Sequence, residues 1–375
     1  MAGRGGYENV GIEMGHLVDP GRIPHFLELS EQYPDQNEML LNQANVSLKG
    51  ITEDQQSWRD DGFLIKRNFI PGDWIDEYNA IRTRMNLGDG HFPSITPYLN
   101  HSTIRDICCS PDMHHLLVDL LGEEMGLHFT LTDYVSTTRG WHQDDYLNPD
   151  DTYARYCAVW MAMDDIHPDS GPFQFVPGSH KWPCLRNQLV KQLIIPEQRE
   201  TGGHHWAVAA EYHVNKSVEN YIAETGSRVE TFHARKGDIL VWHGKLMHRG
   251  SIPNNKDLMR PAVISHYSNV RNRRDFSNEI TRHGRGAYYF EFSAQGRTLT
   301  EDMFDRGSLL PARAIAPEPM SKSPETGREH TPLREKLGKL FGNLVSREAD
   351  TARRIAPAGS APGSRRGTPR PSAPG

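Results

Sequence analysis

The spacing of apolar residues changes twice along the chain. From residue 51 the stretch ITEDQQSWRDDGFLI places Thr52 three residues before Gln55, the reciprocal pair that closes a helix N-terminus. That helix is predicted to run to Gly62, and FLIKRNFI after it reads as a strand. IPGDWIDEYNAIRTRM sets Ile75, Tyr78, Ile81 and Met85 on one helical face, and MHHLLVDLLGEEMG after Pro111 predicts another helix. From about residue 127 the period drops to two. LHFTLTDYV, YARYCAVWMAM, PFQFVPGS, RVETFHA, DILVWHG and PAVISHYS are short β-like runs separated by Gly, Pro and Asp turns. Helices first and then many spaced strands predict a mainly β protein with supporting helices, built as a sandwich or barrel. The stretch 184–228 is polar, carries His204, His205 and Trp206, and reads as a long connection of the kind lids are made from.

The ends lose this regularity. Residues 1–50, interrupted by Pro20, Pro24 and Pro34, read as an extension with short helical pieces, which leaves 51–310 as the folded domain. From Pro311 the chain turns low in complexity and rich in Pro, Gly, Ser and Arg, too poor in apolar surface to offset the entropy of ordering. Inside that tail Leu333, Leu337, Leu340, Phe341, Leu344 and Val345 recur at helical spacing. They predict a short amphipathic helix at about 332–346, a weak docking element and not a membrane anchor.

Composition narrows the function classes. A length of 375 residues allows one large domain or two modest ones, and a net charge of −6 offers no basic field for nucleic acid. The 4 cysteines, Cys108, Cys109, Cys157 and Cys184, form no CxxC pair, which argues against a structural zinc site and a disulfide framework. No apolar run reaches membrane length, and MAGRGGYENVG contains no signal core. The expectation is a cytoplasmic protein with no stable membrane insertion. The arginine-rich run NVRNRRDFSNEITRHGRG reads as a solvated face, with an anion grip as the sharper alternative.

Chemistry concentrates in GWHQDDYLNP. A buried carboxylate is costly unless something pairs with it. Read as a strand, the stretch projects His142 and Asp144 to one face and Asp145 to the other, where it supports the site or is solvated. An imidazole and a carboxylate side by side are two ligands of the facial triad of non-haem iron sites. A second histidine must come from elsewhere, and RKGDILVWHGKLMHRGSIPN offers His243 and His248. They are five residues apart, so a regular strand cannot aim both inward. His243 follows directly on the apolar run DILVW, while His248 sits past a glycine at a strand end, where barrel sites open. A dicarboxylate co-substrate would need a planar, always-charged fork deep in the barrel. Arg260 opens the strand RPAVISHYS twelve residues after His248, a spacing that suits a hairpin, and Ser251 could add a hydroxyl to the same carboxylate. His266 shares strand parity with Arg260 and reads as a satisfied core histidine.

ITEDQQSWRDDGFLI, SPDMHHLLVDLLG, GWHQDD, AVWMAMDDIHPDSGPFQFVPGSHKW and GDILVWHGKLMHRGS with Arg260-Pro261 follow one another over about residues 51 to 270. In that order they resemble the phytanoyl-CoA dioxygenase family of Fe(II)/2-oxoglutarate-dependent oxygenases. The block DSGPFQFVPGSHKW is the most specific of them. The resemblance implies a double-stranded β-helix, or jelly roll. It implies Fe(II) on His142, Asp144 and His248, and 2-oxoglutarate anchored by Arg260, with Trp160 and Ser251 lining the co-substrate pocket. Arg249 intervenes where the family reads histidine-glycine-serine, displacing Ser251 by one residue. The retained Asp144 implies hydroxylation instead of halogenation: O2 is consumed, succinate and CO2 are released, and a small organic substrate is oxidised. Two other readings compete with it. One is a catalytically silent jelly-roll binding module; the other is a metal-dependent oxygenase that does not use 2-oxoglutarate.

Overall fold

The computed structural model describes residues 17–32, 51–148, 154–196, 206–271 and 279–291. The first helix, α1 (Glu53–Asp61), begins as the capping pair predicts. Thr52 Oγ1 accepts from the Gln55 N–H, and Gln55 Oε1 accepts from the Thr52 N–H. It stops at Gly62, whose φ of 78° suits glycine and whose missing side chain leaves room for the His180 ring. Then come α2 (Gly72–Arg84), α3 (Ser102–Cys108) and α4 (Pro111–Leu121). They bury Ile75, Tyr78 and Ile81, Ile104 and Ile107, and Leu117 and Leu120 in one cluster.

Twelve strands follow in chain order among the described residues. They are β1 (Ser30–Glu31), β2 (Phe63–Lys66), β3 (Met125–Leu131), β4 (Tyr156–Ala162), β5 (Phe173–Phe175), β6 (Cys184–Leu185), β7 (Glu230–Thr231), β8 (Ile239–His243), β9 (His248–Gly250), β10 (Ala262–Asn269), β11 (Glu279–Arg282) and β12 (Tyr288–Glu291). Seven of them form the larger sheet in the order β11-β12-β3-β10-β4-β8-β2, and β7-β5-β9 form a smaller one. Pairing is antiparallel except between β12 and β3. The central strands YCAVWMA and ILVWH are apolar throughout because both faces are covered. Alternate residues sort cleanly. Val159, Met161, Ile239 and Val241 join the helices, while Ala158, Trp160, Leu240 and Trp242 join Phe173 and Phe175 of the smaller sheet. Two sheets enclosing that second cluster make the predicted jelly roll.

The stretch 184–228 departs from its reading as a loop. It holds β6, which pairs with β1, then α5 (Asn187–Lys191) and the 20-residue α6 (Trp206–Thr225). Ala207, Ala210, Val214 and Val218 recur at three and four residues, so α6 carries an apolar stripe. That stripe packs with Phe26 and Leu29 of the N-terminal segment and with Trp141, Tyr146 and Met247 beside the smaller sheet. Phe26 stacks on Tyr221 at 4.6 Å. His204, His205, the tail from Pro311 and its expected helix lie outside the described residues. The four cysteines are buried and free. Among the described residues no helix is long and apolar enough to cross a membrane.

Candidate metal centre

His142 is not in a regular strand. It forms one antiparallel bridge with His248, each N–H donating to the other's carbonyl at 3.0 Å. The chain then turns. Asp144 has φ −77° and ψ −31° and leads into a 3-10 turn at Asp145–Leu147. The N–H groups of Asp144 and Asp145 both donate to the Gly244 carbonyl, at 2.7 and 3.0 Å. A side chain at Gly244 would meet Asp145 Oδ1 at 2.2 Å, so this approach requires glycine. Strand alternation therefore does not bring His142 and Asp144 together; a bridge followed by a turn does.

His248 opens β9, between β5 and the His142 bridge. Asp144 Oδ1 lies 3.6 Å from His142 Nε2 and 3.7 Å from His248 Nε2. These spacings suit atoms that each sit about 2 Å from one ion. All three residues are buried, and their ligand atoms lie within 4.8 Å of one another. The remaining atoms are tied back. Nδ1–H of His142 donates to the Gly140 carbonyl at 2.7 Å, and that of His248 to the Leu246 carbonyl at 2.9 Å. Trp242 Nε1–H donates to Asp144 Oδ2 at 3.0 Å. Each imidazole is thereby held as the tautomer whose Nε2 lone pair faces the centre, and the carboxylate presents one oxygen. Burial first, and then the charges of His248 and Arg139, hold the His142 imidazole well below the usual histidine range. Burial lowers His248 as well. Neutral imidazoles are the form a metal needs.

The competing ligand, His243, ends β8 with the opposite parity to Trp242. Its ring lies 5.6 Å from Trp58 and 5.7 Å from His180, and its Nδ1 accepts from the Lys245 N–H. The structure brings His248, and not His243, to His142 and Asp144. Arg260 lines the same cavity as the triad, with Leu131, Phe173, Trp242, Ile264 and His266 also in its wall. Arg260 is 2% exposed. Its Nη1 and Nη2 donate to the carbonyls of Gly171 and Val135 at 3.3 and 3.1 Å, and its Nε has no acceptor among the described residues. Burial pushes it down to about 10, so it stays charged at neutral pH. A buried cation hydrogen-bonded only to carbonyls, with Asp133 acting on it as a further charge, gains when an anion joins it.

The other expected pocket residues fall elsewhere. Ser251 lies past the end of β9, and its hydroxyl donates to the Pro172 carbonyl at 2.6 Å. It is not among the residues of the cavity wall. Trp160 faces the jelly-roll interior, edge-on to Phe232 and 6.0 Å from the Arg260 guanidinium carbon, and is not part of the wall. Asp145 is buried, with Oδ2 accepting from the Ala154 N–H, and burial pushes its carboxyl up to about 7. His266, read as a core histidine, belongs to the cavity wall, with its Nδ1 hydrogen-bonded to the Tyr156 hydroxyl and Phe129 stacked on it.

Sequence reasoning missed Arg139 and Thr137 in the wall, and two supports from α6. Glu211 Oε1 accepts from the Gly140 N–H at 2.7 Å, and Asn215 Oδ1 from the Trp141 N–H at 2.9 Å. The apolar spacing of α6 was the signal that could have found them.

No curated protein sequence matches the chain. Solved structures to which the chain is similar include the epimerase SnoN in complex with Fe3+, alpha ketoglutarate and nogalamycin RO. It is 19% identical, covers 58% of this chain and 82% of its own, and has a TM-score of 0.43. EctD from S. alaskensis with 2-oxoglutarate and 5-hydroxyectoine is 15% identical over 71% of this chain and 84% of its own, at a TM-score of 0.44. The carbocyclase SnoK is 14% identical over 65% and 97%, at 0.43. The model of the phytanoyl-CoA dioxygenase family matches residues 58–262, more than half of the sequence and all of the triad. The chain belongs to the phytanoyl-CoA dioxygenase family.

Proposed function

We propose that this protein is an Fe(II)- and 2-oxoglutarate-dependent dioxygenase that hydroxylates a small organic substrate. One observation carries the reading: His142, Asp144 and His248 turn their ligand atoms to a common point while backbone carbonyls and Trp242 hold the other atoms away from it. Two neutral imidazoles and one carboxylate are the donor set of the facial iron triad, which leaves the opposite coordination positions for exogenous ligands. When bound, iron and 2-oxoglutarate supply the oxidising chemistry, coupling O2 reduction and release of succinate and CO2 to substrate oxidation.

The chain's own residues would do the rest. Arg260 offers a planar fork to the far carboxylate of the co-substrate, the match that arginine makes best. Its Nε, with no acceptor among the described residues, favours this role. Leu131, Phe173, Trp242 and Ile264 make that part of the wall apolar and exclude water. Asp144, with Oδ2 tied to Trp242, would offer Oδ1 to the ion.

The test is anaerobic addition of Fe(II) and then 2-oxoglutarate to the full chain. A weak visible charge-transfer band is expected with one iron per chain, and His142→Ala abolishes both the band and iron retention. Wild-type protein that holds no iron would overturn the reading.

A further inference from the structure

We propose that Arg249 is a positioning residue of the iron centre, and that it sets the spacing of His142 and His248 from the outer face of their bridge. The inference deepens the iron reading and rests on it. His142 and His248 exchange both backbone hydrogen bonds, and their ring centres lie 4.2 Å apart. In an antiparallel pair the next residues along, Trp141 and Arg249, also stand opposite each other, on the other face from the histidines. The structure bears this out. The Arg249 guanidinium lies 4.6 Å from the centre of the Trp141 ring, and neither side chain belongs to the cavity wall. This stack ties the residue before one ligand to the residue after the other.

The same guanidinium is held at two further points. Its Nε–H donates to Gln174 Oε1 of β5 at 2.8 Å, and Gln174 Nε2 donates in turn to the Thr231 hydroxyl of β7 at 3.2 Å. Its Nη1 lies 3.7 Å from Glu219 Oε1 on α6. Glu211, Asn215 and Glu219 follow one another at intervals of four, so they project from one side of that helix. Glu211 and Asn215 accept from the Gly140 and Trp141 N–H groups, and Asn215 Nδ2 donates to Glu219 Oε1 at 3.1 Å. Arg249 thereby closes a ring of contacts. It runs from α6 to the backbone ahead of His142, across the stack to β9, and back to α6. The ion pair by itself contributes little, because its side chains are 31% and 33% exposed. Its part is geometric: it fixes one end of a planar group whose other contacts register the two ligand-bearing segments. A lysine ammonium cannot bond Gln174, face Glu219 and lie flat on an indole at once.

The experiment uses the full chain and reads three quantities. They are the anaerobic Fe(II) affinity, the position of the charge-transfer band with 2-oxoglutarate, and the urea midpoint of the metal-free protein. Arg249→Met keeps an apolar stem against Trp141 and removes the charge and the donors. It is expected to lower Fe(II) affinity about tenfold and to move the band, because the histidines lose their set spacing. Arg249→Lys keeps the charge without the planar group and is expected to recover only part of the affinity. Glu219→Gln removes the ion pair alone, and a smaller loss is expected. Added to Arg249→Met it costs less than in the wild type, since both act through one contact. The proposal is overturned if Arg249→Met leaves iron affinity and band unchanged, whatever its urea midpoint, for Arg249 would then serve the fold alone. It is also overturned if Arg249→Lys matches the wild type, or if the two losses are fully additive in free energy. Should Arg249→Met fail to fold, unchanged iron affinity and band in both Arg249→Lys and Glu219→Gln overturn it. Failure of the underlying iron reading is seen separately, as wild-type protein that holds no iron.

Discussion

Single side chains decide the electronics of this centre. Trp242 faces inward because β8 alternates, and among the described residues its indole N–H is the donor to Asp144 Oδ2. Without that bond the carboxylate is free to turn and offer both oxygens. Trp242→Phe keeps the ring and removes the donor, so Fe(II) affinity is expected to fall about 10- to 100-fold. Anaerobic Fe(II) titration measures this, and unchanged affinity would show that the indole only fills space. Arg260 makes a related point. Lysine at that position would keep the charge but lose the planar fork, which is what a buried carboxylate contact needs. Gly244 acts through what it lacks, since any side chain there would collide with Asp145.

At the scale of elements, the centre is assembled by three pieces that no short stretch contains. The His142 bridge adds the GWHQDD segment to β9, the 3-10 turn re-aims Asp144, and α6 holds the backbone just ahead. Asn215 is buried, and its side-chain oxygen accepts from the Trp141 N–H at 2.9 Å. Asn215→Ala leaves that donor unpaired and is expected to cost about 1–3 kcal/mol of stability, with weaker Fe(II) binding. Urea denaturation with and without Fe(II) reads both effects. Lys216→Ala, one residue on and half exposed in an ion pair with Glu219, is expected to change stability by no more than about 0.5 kcal/mol. Equal losses in the two variants would mean that α6 contributes only helix stability.

The whole molecule carries a pH dependence that the centre does not explain. His180 and His243 lie 5.7 Å apart between α1 and the sheet, and burial pushes His180 down to about 4 and His243 well below its usual range. In the unfolded chain both take up protons near pH 6.5, whereas the folded chain keeps them neutral. Protons therefore favour unfolding. The stability is fully present above about pH 6.5 and is lost as the pH falls toward 4. For His180 alone the loss from pH 7 to pH 5 is roughly 2 kcal/mol. Urea midpoints across that range measure it, and His180→Gln is expected to flatten the slope. A slope unchanged in His180→Gln would assign the effect to other groups.

Local pattern by itself determined a good part of this protein. The Thr52–Gln55 pair, the apolar faces of α2 and α4, and the two-residue period from residue 127 are short-range properties, set by backbone geometry within one element. His142, Asp144 and Arg260 were legible for a related reason, since their residue types admit few uses beside buried apolar strands. The tertiary structure decided the rest. His243 and His248 are separated by a turn, so no local rule aims one inward; the pairing of β9 with β5 and His142 does. Ser251 was placed by family spacing, whereas its hydroxyl turns to the Pro172 carbonyl outside the wall. Arg139 and His266 showed no distinctive pattern, because they come to the same cavity wall from different elements. Spacing along a chain fixes which side of an element a residue faces, but convergence between elements depends on how they cross and pack, and that is settled only when the core closes.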